Sequence, residues 1–181
     1  MDTNTRVFLT NLGKYNEGEL IGEWLKLPFT DDKLKNLLNR IGISNKPDEH
    51  GRCYEEVFIT DYESDIQSFK ISEYANINHL NELIENIEDL SDDDFLAFQA
   101  LILDGNEIEE ALETAEEGKY CIYNDCKDML DVAYAVVEKT GLLDNVSDVV
   151  KRYFNYASYI DELESENVYV PIFDSYIEFY T

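Results

Sequence analysis

The sequence INHLNELIENIEDLSDDDFLAFQALILDGNEIEEALETAEE, residues 77–117, is the most regular part of this chain. Ile77, Leu80, Ile84 and Ile87 recur at steps of three and four residues, and acidic residues fill positions between them. This spacing places the apolar side chains on one face of a helix and the carboxylates on the other. The stretch therefore begins with a predicted amphipathic helix whose outer face is negative.

Two further helices are predicted in the same stretch. Ser91 can cap the second, with Asp94 three residues later in an approximate capping box, and Gly105 can end it. The third, 107–117, places its apolar residues on one side and exposes a series of glutamates. The middle of the chain is therefore predicted to be a small helical module with an acidic exterior.

The segments on both sides of this stretch mix strand and helix patterns, which predicts an α+β fold. A loop with Pro47 and Gly51 is predicted at 44–52. A turn at Asp174 and Ser175 should precede the last strand. The predicted strands are 6–10, 20–27, 54–60, 119–123, 168–173 and 176–180; the additional helices are 31–41, 125–140, and 147–164 as one helix or two.

The composition indicates a folded and strongly acidic protein. The 181 residues include 40 Asp and Glu against 14 Lys and Arg, a net charge of -26, yet 44% are hydrophobic and only 3 are proline. Such a charge repels phosphate backbones and anionic lipids, so direct binding of nucleic acid or membrane is disfavoured. The polar N-terminus and the lack of an apolar run of about 20 residues predict a cytoplasmic protein.

The charge is concentrated in the middle of the chain. Residues 1–62 contain 11 acids and 8 bases, residues 63–118 contain 17 acids and 1 base, and residues 119–181 contain 12 acids and 5 bases. No Lys or Arg occurs in the 48 residues between Lys70 and Lys119. Together with the change of pattern, this predicts an elongated chain of three modules, 1–63, 64–117 and 118–181.

The sequence lacks the motifs of common cofactor and metal sites. Residues 13–18 have the glycine spacing of a phosphate-binding loop, but Glu19 and Leu20 stand where Lys and Ser or Thr are required. The two histidines, His50 and His79, lie in a predicted loop and a predicted helix, and three cysteines form no CxxC pair. We therefore predict no cofactor and no metal.

The uncompensated carboxylates favour a binding function for a partner that handles DNA. Acidic faces often serve solubility, but mixed charges achieve this without the self-repulsion of a base-free stretch. Duplex DNA carries one charge per ~1.7 Å of axis, so 40 carboxylates match the phosphates of about 20 base pairs. Two other classes stay open: a carboxylate-dependent hydrolase, and an acidic chaperone or adaptor for basic proteins.

Three parts of the chain resemble the ArdA family of antirestriction proteins. They are residues 11–24, NLGKYNEGELIGEW, the step 61–63, DYE, and residues 138–142, EKTGL, which continue to three tyrosines at 153, 156 and 159. The resemblance extends over nearly the whole chain, and the first stretch is its most specific part.

The resemblance implies a non-enzymatic DNA mimic carried on mobile genetic elements. Members of the family occupy the DNA-binding groove of type I restriction-modification enzymes. It also implies an elongated, three-domain protein that dimerises through its C-terminal domain, with the segment near 137–150 serving assembly. The predicted homodimer contacts are Leu142, Leu143, Val146 and Tyr153.

The candidate partner-binding residues are acids of the middle module and of the segment just before it. Their carboxylates are predicted to imitate duplex phosphates. They are Glu63, Asp65, Glu73, Glu82, Glu85, Glu88, Asp89, Asp92, Asp93, Asp94, Glu109, Glu110, Glu113, Glu116 and Glu117.

Overall fold

A computed structural model describes residues 1–44, 46–47 and 50–180 of the chain. This part contains eight helices and two three-stranded antiparallel sheets, which confirms the predicted α+β class. The chain forms two compact units, Met1–Leu90 and Ser91–Thr181. The predicted acidic module, 64–117, contributes one helix to the first unit and two to the second. The arrangement in three modules is therefore not confirmed and remains a prediction.

The first unit combines a sheet with three helices. Its strands contribute to the core, where Val7, Leu9 and Leu25 are almost fully buried. The sheet order is 2-1-3, with both pairs antiparallel and an irregular register between Phe8 and Leu9. The elements are β1 (Arg6–Asn11), α1 (Leu12–Asn16), β2 (Gly22–Lys26), α2 (Asp31–Arg40), β3 (Val57–Glu63) and α3 (Ile77–Asp89).

The helix α3 belongs to the first unit because its polar side chains are bonded to that unit's N-terminal part. The Asn81 amide oxygen accepts a 2.6 Å hydrogen bond from the Phe29 backbone N–H. The Glu88 carboxylate accepts hydrogen bonds from Thr3, which is 2% exposed. These contacts join residues more than fifty positions apart, which local sequence patterns do not reveal.

The second unit contains five helices and the second sheet. Helix α4 has an unbroken buried run, Ala97–Ile102, and packs against α5 and β5. The sheet order is 4-6-5, again antiparallel. The elements are α4 (Asp92–Asp104), α5 (Ile108–Glu116), β4 (Tyr120–Asn124), α6 (Met129–Thr140), α7 (Asp148–Arg152), α8 (Tyr156–Glu166), β5 (Val168–Ile172) and β6 (Ser175–Phe179).

A buried carboxylate lies in the second sheet. Glu178 is 7% exposed and accepts hydrogen bonds from the hydroxyls of Tyr123 and Tyr169, both at 2.7 Å, and from the Asn167 amide at 3.0 Å. Burial and the bonds to Glu178 raise the pKa of both tyrosines. Since a buried acid without partners is costly, this network makes Glu178 a structural residue.

Several predicted boundaries were wrong by a few residues. Helix α6 begins at Met129 and not at 125, because Asp128 caps it and Asp125 has a positive φ of 57° that interrupts helical geometry. The last hairpin turns at Phe173 and Asp174, one residue earlier than predicted. Strand β3 begins at 57. Residues 45, 48 and 49 of the predicted loop 44–52 lie outside the described residues.

Candidate partner-binding surface

Helix α3 presents a row of acids along its exposed face. Its buried side is apolar and includes Leu80 and Ile84. Glu82, Glu85 and Asp89 are exposed and follow one another at steps of three and four residues. Residues at this spacing are neighbours on a helix, about 5–6 Å apart at Cβ. The three carboxylates therefore form one continuous acidic row.

Glu88 differs from its neighbours on α3. It is half-buried, and its Oε1 accepts bonds from the Thr3 backbone N–H at 2.8 Å and the Thr3 hydroxyl at 2.9 Å. Thr3 is buried, so the loss of this acceptor would leave its backbone N–H without a partner. Glu88 therefore has a structural function whether or not it contacts a partner.

The N-terminus of α4 places three aspartates together. The Ser91 hydroxyl accepts a bond from the Asp94 backbone N–H, as the capping box predicts. Asp92 and Asp93 are exposed, whereas Asp94 is half-buried and accepts a 2.6 Å bond from the Tyr120 hydroxyl. Bonds from Ser91 and Tyr120 lower the pKa of Asp94. Asp92 and Asp93 thus present exposed charge, and Asp94 also links α4 to β4.

Helix α5 has a second acidic face. Ala111, Leu112 and Ala115 are buried against the core of the unit. The opposite side carries five exposed glutamates in and just after the helix. One of these, Glu117, pairs with Lys119 at 3.1 Å. The five are Glu109, Glu110, Glu113, Glu116 and Glu117.

The three candidate acids before α3 are exposed, but two of them have partners within the first unit. Glu63 forms an ion pair with Arg6, and Asp65 accepts a 2.6 Å bond from the Asn4 amide. Glu73 is exposed near the aromatic side chains of the sheet. Of this group, Glu73 presents the least compensated charge.

Nine of the fifteen candidate acids have no ion pair or side-chain hydrogen bond to any of the described residues. Five bases of the first unit instead pair with acids outside this set or with Glu63. The nine carboxylates therefore present negative charge directly to solvent. They are Glu73, Glu82, Glu85, Asp89, Asp92, Asp93, Glu110, Glu113 and Glu116.

Several of these acids occupy positions where their negative charge destabilises the helix that contains them. The last turns of α3 and α5 contain acids but no base, although a helix C-terminus is the negative end of its dipole. Asp89, Glu113 and Glu116 occupy these turns. Like charges three or four residues apart add a cost of about 0.2–0.5 kcal/mol per pair. Helix stability therefore does not account for these carboxylates.

The described part of the chain provides no metal cluster and no membrane span. No group of three or more His, Cys, Asp or Glu side chains in it could hold a metal ion. None of its helices is long and apolar enough to cross a membrane.

The comparison with protein families provides the identification. A model of the family described as "Antirestriction protein (ArdA)" matches residues 7–178, nearly the whole chain. The chain belongs to the ArdA family. This membership implies an antirestriction function, as an inhibitor and not as an enzyme, and suggests interaction with restriction enzymes. No curated protein matches the chain.

The stretch 11–24 that resembles ArdA proteins has a clear structural purpose. The Asn11 side chain is fully buried, accepts a bond from the Lys14 backbone N–H and donates to the Ile41 carbonyl. A Cβ at Gly22 would lie 2.5 Å from the Phe8 ring and 2.7 Å from the Leu9 carbonyl. These residue types are therefore required for the α1 turn and for the pairing of β1 with β2.

The predicted dimer residues of this ArdA protein lie on both sides of α7, three before it and Tyr153 directly after it. Leu142 is 48% exposed and Tyr153 is 80% exposed, whereas Leu143 and Val146 are half-buried. Val149 and Val150, which were not among the predicted contacts, are 62% and 49% exposed. Segment 142–153 therefore presents several apolar side chains to solvent.

Sequence reasoning missed one feature of the first unit. Five aromatic side chains gather on one face of its sheet and line a cleft of about 660 Å³. They come from β1, α1, β2, β3 and the segment before α3, so no local pattern unites them. The density of aromatics gave no signal either, because the ArdA-like stretch 11–24 has two among its 14 residues, close to the 13% of the whole chain. The five are Phe8, Tyr15, Trp24, Phe58 and Tyr74.

Proposed function

We propose that this chain is a DNA mimic that occupies the DNA-binding groove of a type I restriction-modification enzyme. Its exposed carboxylates take the places of duplex phosphates. The groove of such an enzyme presents basic side chains to a phosphate backbone, so an uncompensated acidic surface is complementary to it. Inhibition then follows from competition with DNA and needs no chemical step.

The observation that carries this proposal is the set of nine exposed, unpaired acids. Several of these lie in helix positions where negative charge lowers stability, as Asp89 and Glu116 do. A surface that keeps such charges despite their cost is best explained by a basic partner. ArdA membership indicates a restriction enzyme as that partner.

Competition with duplex DNA tests the proposal. The wild-type chain, added to a type I enzyme bound to a fluorescently labelled duplex, should displace the duplex in a concentration-dependent way. Excess unlabelled duplex should in turn displace the chain from the enzyme.

Simultaneous binding of DNA and this chain to one enzyme would contradict groove occupancy. Histone proteins serve as the control for the alternative of an acidic chaperone. Equal affinity for histones and for the enzyme would favour that alternative, because a mimic should prefer the shaped groove.

We further propose that the chain forms a homodimer through segment 142–153. Leu142 and Tyr153 are large, exposed side chains, and two-fold dimers bury the same patch on both subunits. A dimer would present two copies of each acidic helix to the enzyme.

Light scattering tests the dimer. The wild-type chain at micromolar concentration should have the mass of two 21.0 kDa chains, and Tyr153→Asp should shift the population to the single-chain mass. A charge in an apolar interface lacks a partner and opposes association. Phe173→Asp is a matched control, since Phe173 is also an exposed aromatic, at 74%, but lies in the last hairpin. A monomeric wild type would refute the proposal.

A further inference from the structure

The aromatic cleft of the first unit has the geometry of a binding site for a planar cation. Its rings pack edge to face and in stacks. The ring centroids of Phe8 and Trp24 are 5.4 Å apart, with an angle of 74° between the ring planes. Those of Tyr15 and Phe58 are 5.1 Å apart, with an angle of 67°. Phe58 and Tyr74 are stacked, with their centroids 6.2 Å apart. Ring faces carry partial negative charge, so they attract cations as well as apolar groups.

The cleft is open to solvent although it is largely aromatic. Tyr74 is 72% exposed, Tyr15 is 50% exposed and Leu20, at the same cleft, is 66% exposed. Apolar side chains exposed together in this way often mark interaction sites.

The charge on the lining is negative. Asp61 and Glu73 are exposed and contribute to the cleft, and none of the described lining residues is basic. Neither acid forms an ion pair with a described residue. A neutral apolar ligand would gain nothing from these carboxylates, whereas a cation would meet both the ring faces and the acids.

The same sheet face already holds one guanidinium within the chain. The Arg6 guanidinium carbon lies 4.6 Å from the centroid of the Trp24 ring, and its charge is balanced by Glu63. The first unit therefore already contains a guanidinium that contacts both an aromatic ring and a carboxylate. The cleft could bind a guanidinium from another protein through the same two kinds of contact.

We propose that the aromatic cleft binds an arginine side chain of the partner protein. The guanidinium would stack on the tyrosine rings and pair with Asp61 and Glu73, because its planar fork suits both aromatic faces and carboxylates better than a lysine does. Identification of the partner rests on the proposed function, since DNA-binding grooves contact phosphates through arginines. The cleft would thus provide one specific contact to the partner, in addition to the many exposed carboxylates of the helices.

Titration with N-acetyl-arginine amide tests the cleft without any restriction enzyme. The full chain has one tryptophan, so the indole N–H resonance of Trp24 is an unambiguous reporter. The arginine probe should shift it in a saturable way, and the neutral isostere N-acetyl-citrulline amide should bind at least fivefold more weakly. Equal effects of the two probes, or no saturable shift, would overturn the proposal.

Variants locate the site. Tyr74→Leu and the double change Asp61→Asn with Glu73→Gln should each weaken arginine binding by roughly 3- to 30-fold. These side chains are exposed, so the fold should be retained. The matched control, Asp161→Asn with Glu164→Gln, removes the same charge from α8, outside the candidate acids, and should leave the titration unchanged. An equal loss in this control would overturn the assignment to the cleft.

Enzyme binding separates this inference from the proposed function. Tyr74→Leu should lower affinity for the type I enzyme by a similar factor, and Tyr74→Phe should restore it because the ring is kept. If the wild-type chain binds the enzyme but not the arginine probe, the proposal for the cleft is refuted and the proposed function is retained. If the wild-type chain binds the arginine probe but does not compete with DNA for the enzyme, the proposed DNA mimicry is refuted and the proposal for the cleft is retained.

Discussion

Replacing Glu82, Glu85, Asp89, Glu113 and Glu116 together by their amides should lower affinity for the restriction enzyme by roughly 5- to 5,000-fold. Each exposed charge contributes about 0.2–1 kcal/mol, so five add up to about 1–5 kcal/mol. Glu85→Gln alone should change affinity by no more than about fivefold, because a distributed field has no single anchor. Affinity measured by displacement of labelled duplex checks both values.

The same five changes should not weaken the fold. Asp89, Glu113 and Glu116 lie at the negative ends of their helices, and all five lie near like charges. Removing these repulsions should raise the free energy of unfolding by about 1–2 kcal/mol, measured in urea. A loss of binding that accompanies unfolding would contradict the interpretation, and so would complete inactivation by Glu85→Gln.

A matched control distinguishes position from total charge. Five other acids are exposed in the second unit, outside the predicted binding set, and their replacement by amides removes the same number of charges. We expect a smaller loss of affinity from this control than from the first set. Equal losses would favour an acidic adaptor that responds to net charge alone. The five are Asp125, Asp161, Glu162, Glu164 and Asp174.

Glu88 is excluded from the first set for a structural reason that the sequence did not reveal. Its spacing with Glu82 and Glu85 suggested the same exposed face, but it is half-buried and bonded to Thr3, 85 positions away in the chain. Periodicity predicts the direction of a side chain on its helix. It does not predict which distant segment packs beside that helix.

The helices of the acidic stretch were predictable because their signals are local. Ser91 caps α4, and Gly105, with a φ of 100°, ends it as expected. Local signals did not predict which of the two compact units each helix joins. Helix α3 is bonded to the first unit through Asn81 and Glu88. Neither the spacing of apolar residues nor the charge composition predicts such long-range hydrogen bonds.

The candidate surface was predictable in composition but not in detail. A base-free stretch indicated an acidic exterior, and all fifteen candidate acids are exposed or half-buried. The sequence could not separate the nine unpaired acids from those with partners. The Tyr120 hydroxyl bonds Asp94 across 26 positions, and Arg6 pairs with Glu63 across 57. Charge compensation depends on tertiary contacts and can be assigned only from the structure.

Affinity for the restriction enzyme should fall steeply as salt rises. Proteins that contact 6–10 phosphates lose about 10³- to 10⁵-fold in DNA affinity between about 50 and 200 mM salt, largely through release of counterions condensed on DNA. A folded protein with a net charge of -26 lacks that dense counterion layer, so screening provides more of the effect. We therefore expect a loss of at least about tenfold, with a shallower slope than the same enzyme shows for duplex DNA.

The slope should also depend on the acids that make the contact. The variant without Glu82, Glu85, Asp89, Glu113 and Glu116 should show a weaker salt dependence than the wild type, because fewer charges are screened. Affinities measured at four salt concentrations for both proteins, with duplex DNA as reference, give the three slopes. An affinity that does not change with salt would rule out binding dominated by carboxylates. Equal slopes for the two proteins would place the electrostatic contact outside α3 and α5.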